Sequence, residues 1–474
     1  MAALHDLTAL EQAEAIRNRT LSPVELAEHY IARTEALNDT VGAFITLTPE
    51  LALQQARDAE QAVMDAADPS ELPVLHGVVV PVKDLQFLAG VRCTMGSAAY
   101  DITPFGDDHI VTRLKQGNVV MTGKTNTPEF GLPCYTEPSV APPARTPWDL
   151  TRSAGGSSGG AAAAVAAGLA PVAHGSDGGG SVRIPASVCG LVGIKTARGR
   201  TSTGPLRDPV GEFPVNGPLA RTVRDAAALL DVMAGAFPDD PYPAPPLPPG
   251  ETFLKAAGCE PGVLRIGRFR TPLIASSEVH QDCIDAYDSA SMLLEELGHV
   301  VEDFTPAFPD SMVATFETIW SVLALLTPVD PALEGELMPL TRYLRERGAR
   351  VSGVELAGAV SFARIISRGV IAAAAPYDVL LSPTLAQPPV PVGYFTDGGD
   401  PAADFERQKA FTPFTALFNV TGQPAISVPL HWTAQGLPIG VHLVGRPYDE
   451  LTLISLAAQL EQAKPWLGRH PEIW

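Results

Sequence analysis

The chain opens on a helical rhythm. Ser22, Pro23, Val24 and Glu25 supply a capping serine, a proline at the first helical position and an acid in the first turn, and "LAEHYIARTEAL" follows with apolar residues at helical spacing. A second helix is predicted from about Pro49 to Ala66. The texture then changes to short continuous apolar runs. "HGVVVPVKDL" (His76 to Leu85) and "GNVVMTGKT" (Gly117 to Thr125) read as buried strands on either side of a helix in "DDHIVTRLKQ". That order predicts a βαβ-like unit in a sheet covered on both faces.

Further along, "RTVRDAAALLDVMAG" (Arg221 to Gly235) reads as a helix, and the proline-rich "FPDDPYPAPPLPPG" (Phe237 to Gly250) as an extended surface connector. "VLRIGRF" and "HVVEDF" read as strands around the helix "CIDAYDSASMLLEEL", and "YDVLLSPTL", "AISVPL" and "IGVHLVG" add strands toward the end. No repeat of fixed period is present. The pattern predicts an α/β protein of one large domain over residues 1–474, with a central twisted mixed β-sheet covered by helices on both faces. Its expected parts are N-terminal helices to about residue 70, a glycine-rich core over about 71–235, a variable segment over about 236–375 and strands completing the sheet over about 376–474.

Composition narrows the partners. Of 474 residues, 46% are hydrophobic and 18% charged, a globular balance with a sizeable core. Acidic residues outnumber basic ones 53 to 33, and no run of lysine or arginine forms a phosphate-binding stripe, so nucleic acid and membrane are not expected as partners, while a homodimer is allowed. Five scattered cysteines (Cys93, Cys134, Cys189, Cys259, Cys283) without CxxC spacing indicate neither a disulfide framework nor a thiolate metal site. The N-terminus lacks the pattern of a signal peptide, and "AAAAVAAGLAPVA" is too short for a bilayer span of ~20 residues. A cytoplasmic, reducing location is expected.

Two motifs fail on spacing or context. "GNVVMTGKT" places five residues between Gly117 and Gly123 where a phosphate-binding loop needs four. "GGSSG" (Gly155 to Gly159) centres Ser157 as a hydrolase elbow would, but the segment before it is a proline-rich loop, and His431 and His442, the available late histidines, sit in or beside strand patterns. No HExxH cluster supports a metal.

Lys83 interrupts an apolar strand. Taken alone it reads as a strand-end lysine paired with Asp84; the alternative is a desolvated amine able to act as a general base. The segments "SAGGSSGG" and "GSDGGGSVRIPA" together offer hydroxyl nucleophiles and unobstructed backbone N–H groups, the needs of amide hydrolysis.

The stretch "GGSSGGAAAAVAAGLAPVAHGSDGGGSVRIPASVCGLVGIKTARGR" resembles the signature of the amidase signature family of serine hydrolases, and the likeness extends to "HGVVVPVKD", "GKTNTPEFG", "GPLARTVRDAAALLDVMAG", "FNVTGQPAISVPL" and "GLPIGVHLVGRPYDE" in family order. The resemblance implies a Ser-cisSer-Lys triad in which Ser181 is the nucleophile, Ser157 the bridging serine carrying a cis peptide bond, and Lys83 the base. It implies an oxyanion hole from the N–H groups of Gly178, Gly179, Gly180 and Ser181, support from Ser158, Asp177 and Arg183, and no cofactor or metal. Substrate-binding candidates are Gly131, Pro133 and Cys134 in "TNTPEFGLPCYTE", together with the apolar helix "MVATFETIWSVLALLTP", where Phe316, Trp320 and Leu323 recur at a spacing equally suited to core packing.

Two departures stand out: Ser176 where the family commonly has threonine, and Gly178 where it has a side chain. Loss of that side chain predicts a looser loop or a wider pocket. The expected substrates are hydrophobic or aryl amides, carbamates and oligoamides included. The competing readings are a glutamine-hydrolysing subunit of a tRNA-dependent amidotransferase, an α/β-hydrolase-type esterase and an inactive binding scaffold.

Overall fold

The computed structural model describes residues 3–206, 210–306, 309 and 311–474. The first predicted helix forms at Pro23–Val41, where Ser22 Oγ accepts hydrogen bonds from the N–H groups of Val24 and Glu25 at 3.0 and 3.3 Å, and the second forms at Pro49–Asp65. Between them lies a strand that the pattern did not predict, β1 (Phe44–Leu47). It is antiparallel to β3 (Gly123–Thr125), which runs parallel to β2 (Val82–Lys83), giving a three-stranded sheet in the order β1-β3-β2.

The helix His109–Gln116 connects β2 to β3, as the βαβ-like reading requires. The long strand expected over His76–Leu85 is interrupted. Parallel pairing begins where Gly77 N–H donates to Asn118 C=O and Val80 N–H to Val120 C=O, then breaks at Pro81, which has no N–H to give. The free face of that break is used across the fold: His174 N–H donates to Pro81 C=O at 3.1 Å, joining the small sheet to the large one.

The large sheet has eight strands in the order β4-β6-β5-β10-β11-β9-β7-β8. They are β4 (Val172–Asp177), β5 (Val192–Lys195), β6 (Val215–Ala220), β7 (Arg265–Arg268), β8 (Val300–Asp303), β9 (Val379–Pro383), β10 (Ala425–Trp432) and β11 (Pro438–Gly445). The three-strand end β9-β7-β8 is parallel, with the helix Gln281–Glu296 crossing from β7 to β8; the remaining pairs are antiparallel, so the sheet is mixed.

Both faces are buried, which explains the continuous apolar strand texture. Along β10 and β11, Ile426, Val428, Val441 and Leu443 join one apolar cluster with the helices Val223–Met233, Gln281–Glu296 and Glu450–Ala463. Ala425 and Val444 join another on the opposite face, with Met312 and Ile319 of the helix Ser311–Leu326 and Ile366 of the helix Gly353–Ala374. A third cluster packs the buried alanine helix Gly159–Ala166 against the helix Arg183–Cys189. That arrangement sets both serine-glycine segments against β4.

Strands β5 and β6 were not predicted, because "GLVGIKT" and "VNGPLA" carry the glycines and proline that ordinarily punctuate strands. Packing supplies the reason at Gly217: a Cβ there would lie 2.0 Å from Ile194 C=O on the neighbouring strand.

Candidate active site

Three elements converge on one polar cage. β2 delivers Lys83, the turn before the alanine helix delivers Ser157 and Ser158, and β4 delivers Ser176. Lys83 is wholly buried. Its Nζ lies 2.8 Å from Ser157 Oγ, 2.9 Å from Ser158 Oγ and 3.1 Å from Ser176 Oγ, with Ser176 C=O at 3.4 Å. Among the described residues no carboxylate bonds to it. Burial pulls its pKa from 10.5 down to about 7, with Asp177 pulling the other way.

The pairing with Asp84 is not made. Successive side chains of a strand point to opposite faces, so Asp84 turns away and receives Lys124 Nζ at 2.8 Å, Thr94 N–H at 2.9 Å and Thr94 Oγ1–H at 2.7 Å. Lys83 is left among hydroxyls. Ser158 donates its hydroxyl to Ser176 C=O at 3.1 Å, which directs a Ser158 lone pair at Lys83. Lys83 Nζ therefore donates to Ser158 and stands within hydrogen-bond distance of the Ser157 and Ser176 hydroxyls. The peptide bond Gly156–Ser157 is cis.

The loop from Gly178 to Ser181 is held by its other side. Asp177 is wholly buried and accepts from Gly180 N–H at 2.8 Å, Val182 N–H at 3.1 Å, Arg183 Nε and Nη2 at 3.0 and 2.9 Å, and Asn419 Nδ2 at 2.9 Å. Burial alone would raise its pKa; the Arg183 guanidinium and the Asn419 amide reverse that and hold it well below the usual carboxylate range. Arg183 donates further to Thr415 C=O and Asn419 Oδ1, and Thr415 Oγ1–H donates to Gly179 C=O at 2.6 Å.

Of the four N–H groups expected to face an oxyanion, Gly180's is therefore engaged by Asp177. Those of Gly178, Gly179 and Ser181 bond to no protein group among the described residues. Gly180 thus departs from the expected set of four and is a clamp point of the loop, its N–H turned to Asp177. Ser181 Oγ also makes no hydrogen bond, and its side chain is 7% exposed. Ser158 N–H donates to Ser181 C=O at 3.1 Å, so the two serine segments lie side by side.

The late histidines lie apart from this chemistry. His442 Nε2 accepts from Arg183 Nη1 at 3.0 Å and its Nδ1 faces Ser382 Oγ at 3.1 Å; burial and Arg183 keep it neutral, far below its usual pKa. It props the arginine that holds the loop. Ser176, Thr415 and Asn419 were absent from the predicted site. Asn419 had a signal in "FNVTGQP", a polar residue amid an apolar run, while Ser176 and Thr415 resemble any small polar residue near a turn.

Two cavities lie against the two serine segments. One has Ser181 and Gly179 in its wall together with Pro133, Cys134, Met312 and Phe316. The other has Ser157, Ser176 and Gly178 together with Gly131, Leu323 and Asn216. The structure so distributes the three substrate-side candidates: Pro133 and Cys134 beside Ser181, Gly131 beside Ser157. Trp320 and Leu132 belong to both walls.

The expectation of a wider pocket at Gly178 is overturned. A Cβ at position 178 would lie 3.1 Å from Cη2 and 3.3 Å from Cζ3 of Trp320, so the indole occupies the room the missing side chain leaves.

Residues 25–454 match the model of the Amidase family. The chain is 38% identical over 493 aligned positions to the 6-aminohexanoate-cyclic-dimer hydrolase of Paenarthrobacter ureafaciens, covering 98% of this chain and 96% of that one. It is 33% identical to an acylamidase of Rhodococcus erythropolis, covering 99% and 98%. Among solved structures, a 6-aminohexanoate cyclic dimer hydrolase complexed with substrate superposes with a TM-score of 0.89 at 34% identity, covering 99% of this chain and 100% of that one. Sequence and fold together make this chain a member of the amidase family, a hydrolase of amide C–N bonds.

Proposed function

We propose that Ser181 is the nucleophile, that Lys83 is its base acting through Ser157, and that the substrates are amides with an apolar aliphatic or aryl acyl group. The observation that carries this reading is the 2.8 Å contact between Ser157 Oγ and the Nζ of a buried lysine that has no carboxylate partner. With a pKa of about 7, Lys83 is partly neutral at neutral pH and accepts a proton there.

The Ser181 hydroxyl proton passes to Ser157 as the Ser157 proton passes to Lys83, and Ser181 Oγ bonds to the amide carbonyl carbon. The oxyanion takes the N–H groups of Gly178, Gly179 and Ser181; losing one such donor in an acyl-transfer site costs about 3 kcal/mol of transition-state stabilisation. Collapse breaks the C–N bond as the proton returns through Ser157 to the leaving nitrogen. Water then bonds to the acyl carbon, giving a proton along the same relay to Lys83; the bond from that carbon to Ser181 Oγ breaks as the proton returns through Ser157 to Oγ, releasing the acid and restoring Ser181. Ser158 and Ser176 place the lysine, and Asp177 with Arg183 holds the loop.

The cavity beside Ser181 receives the acyl group against Met312 and Phe316, and the cavity beside Ser157, where Gln86, Ser176 and Asn216 stand, receives the leaving amine. Relatives named for 6-aminohexanoate and acyl amides fit an apolar chain of modest length. The five scattered cysteines, four of them buried, suit a reducing cytoplasmic setting, and the whole chain works as one domain.

The test is a panel of alkanoyl amides, anilides, carbamates and glutamine, scored for amine or ammonia release by wild type and by Ser181→Ala. Apolar acyl amides turned over by wild type and not by the folded variant support the reading. Glutamine as the preferred substrate, or turnover retained in Ser181→Ala, overturns it.

A further inference from the structure

Three glycines precede Ser181, and the structure gives them different reasons. Gly180 sits at φ +138° with Thr415 Oγ1 only 2.4 Å from where a Cβ would be, so both backbone and packing demand glycine. Gly179 has room, its nearest neighbour being Phe316 Cζ at 3.6 Å. Gly178 is outside the left-handed region, and its backbone suits any residue; what excludes a side chain is the Trp320 indole at 3.1 Å, with Pro214 Cγ at 3.5 Å behind it.

The indole is itself fixed. Phe316 and Trp320 stand one turn apart on the helix Ser311–Leu326 and stack at 5.2 Å and 20°, and Phe316 stacks in turn on the buried Phe213 at 5.4 Å and 3°. Trp320 also packs with Leu340, Leu344 and Phe405. It therefore has little freedom to swing away, and it stands in the wall between the cavity of Ser181 and the cavity of Ser157.

We infer that Gly178 and Trp320 are a matched pair, in which the indole fills the space beside the nucleophile loop and partitions the acyl cavity from the leaving-group cavity, restricting the enzyme to acyl groups that are unbranched or planar next to the carbonyl. The inference rests on the nucleophile and cavity assignments above. A linear or aryl acyl group leaves the carbonyl along the face of the Phe316–Trp320 stack toward Met312. A quaternary carbon beside the carbonyl meets the edge of the indole. Specificity here is steric exclusion at one wall, for which a few carbon atoms of bulk separate substrates by tenfold or more.

The test is a set of four proteins: wild type, Gly178→Ala, Trp320→Leu and the double variant, with Trp320→Phe replacing Trp320→Leu if the latter fails to fold. Each is assayed with hexananilide and with the anilide of 2,2-dimethylhexanoic acid, so that the leaving group is constant. Trp320→Leu is expected to raise the branched-to-linear ratio of kcat/KM by at least about tenfold. The acid limb of the pH profile, which reads Lys83, stays in place. Thermal unfolding supplies a readout independent of substrate: Gly178→Ala lowers Tm in the wild-type background and leaves it unchanged where Trp320 has been shortened.

An unchanged ratio in Trp320→Leu, or a Gly178→Ala penalty equal in both backgrounds, overturns the inference. Failure of the nucleophile assignment looks different, since hexananilide hydrolysis then persists in Ser181→Ala while the unfolding comparison between the four proteins still reads the pair.

Discussion

Two lysines on neighbouring strands are equally buried and do opposite things. Lys124 on β3 lies in register with Val82, on the face to which Asp84 also points, and it ends on the Asp84 carboxylate and the Gln86 C=O at 2.8 and 2.7 Å. Lys83 on β2 points to the other face and ends on three hydroxyls. At Lys124 the attraction of the Asp84 carboxylate offsets the cost of leaving water. An ammonium among hydroxyls gains only hydrogen bonds, and burial then favours the amine. Residue type and depth are the same in both places; the partners differ, a carboxylate for Lys124 and hydroxyls for Lys83.

The strongest way to break this comparison is to remove each lysine in turn. Lys83→Met should cut kcat/KM by about 10³-fold or more while leaving Tm no lower, since no buried carboxylate loses its partner. Lys124→Met should do the reverse, destabilising the fold by about 3–5 kcal/mol through the stranded Asp84 carboxylate while the folded fraction keeps its active-site chemistry. Stopped assays and thermal unfolding on the two variants check this, and exchanged phenotypes would refute the assignment.

A weaker effect follows from pH. Activity of the wild type should rise with pH through about 7 and then level off as Lys83 becomes neutral. Stability carries the same sign. Because the folded pKa lies below the unfolded value of 10.5, the unfolded chain binds more protons between about 7 and 10.5, so Lys83 makes stability rise with pH across that window, with its full penalty below it. Lys195 is also buried and pulled down to about 7, so the measurement is the difference in slope between wild type and Lys83→Met, which should be flatter.

The smallest change tests the cage itself. Ser176→Ala removes one hydroxyl that accepts from Lys83; such acceptors favour the ammonium over the amine, so the acid limb of kcat/KM should move to lower pH with a loss of activity within about tenfold. A limb moving to higher pH would show that Ser176 does not serve the lysine in this way.

Much of this arrangement was legible in the chain. The apolar runs that became β7 to β11, the capped helix after Ser22 and the proline connector all follow from periodicity and turn chemistry, because each depends on residues adjacent in sequence. Lys83, Ser157 and Ser181 were visible as a charge in an apolar strand and as serines in glycine-rich turns, and the family likeness ordered them. β5 and β6 were hidden because their glycines answer to neighbours in the fold, Gly193 to Val182 and Ala186 and Gly217 to Ile194 of the adjacent strand, rather than to their own segment. The same holds for Thr415 and Asn419, which support the loop from more than two hundred residues away.

The sequence by itself determined the capped helices of the first third of the chain, the helices Val223–Met233 and Gln281–Glu296, most of the large sheet's strands and the set of groups able to hydrolyse an amide, while helices such as Gly353–Ala374 and Glu450–Ala463 were not read from it. Tertiary structure alone decided which of the two lysines meets hydroxyls instead of a carboxylate, which N–H groups of the loop remain without a protein partner, and that Gly178 makes room for Trp320 instead of opening a pocket. The physical reason is common to all three. Each is settled by contacts made across the fold, whether the strand pairing that gives Asp84 to Lys124, the Thr415 and Asn419 side chains that hold the loop of Asp177, or an indole from a distant helix, and no local pattern records where those partners will stand.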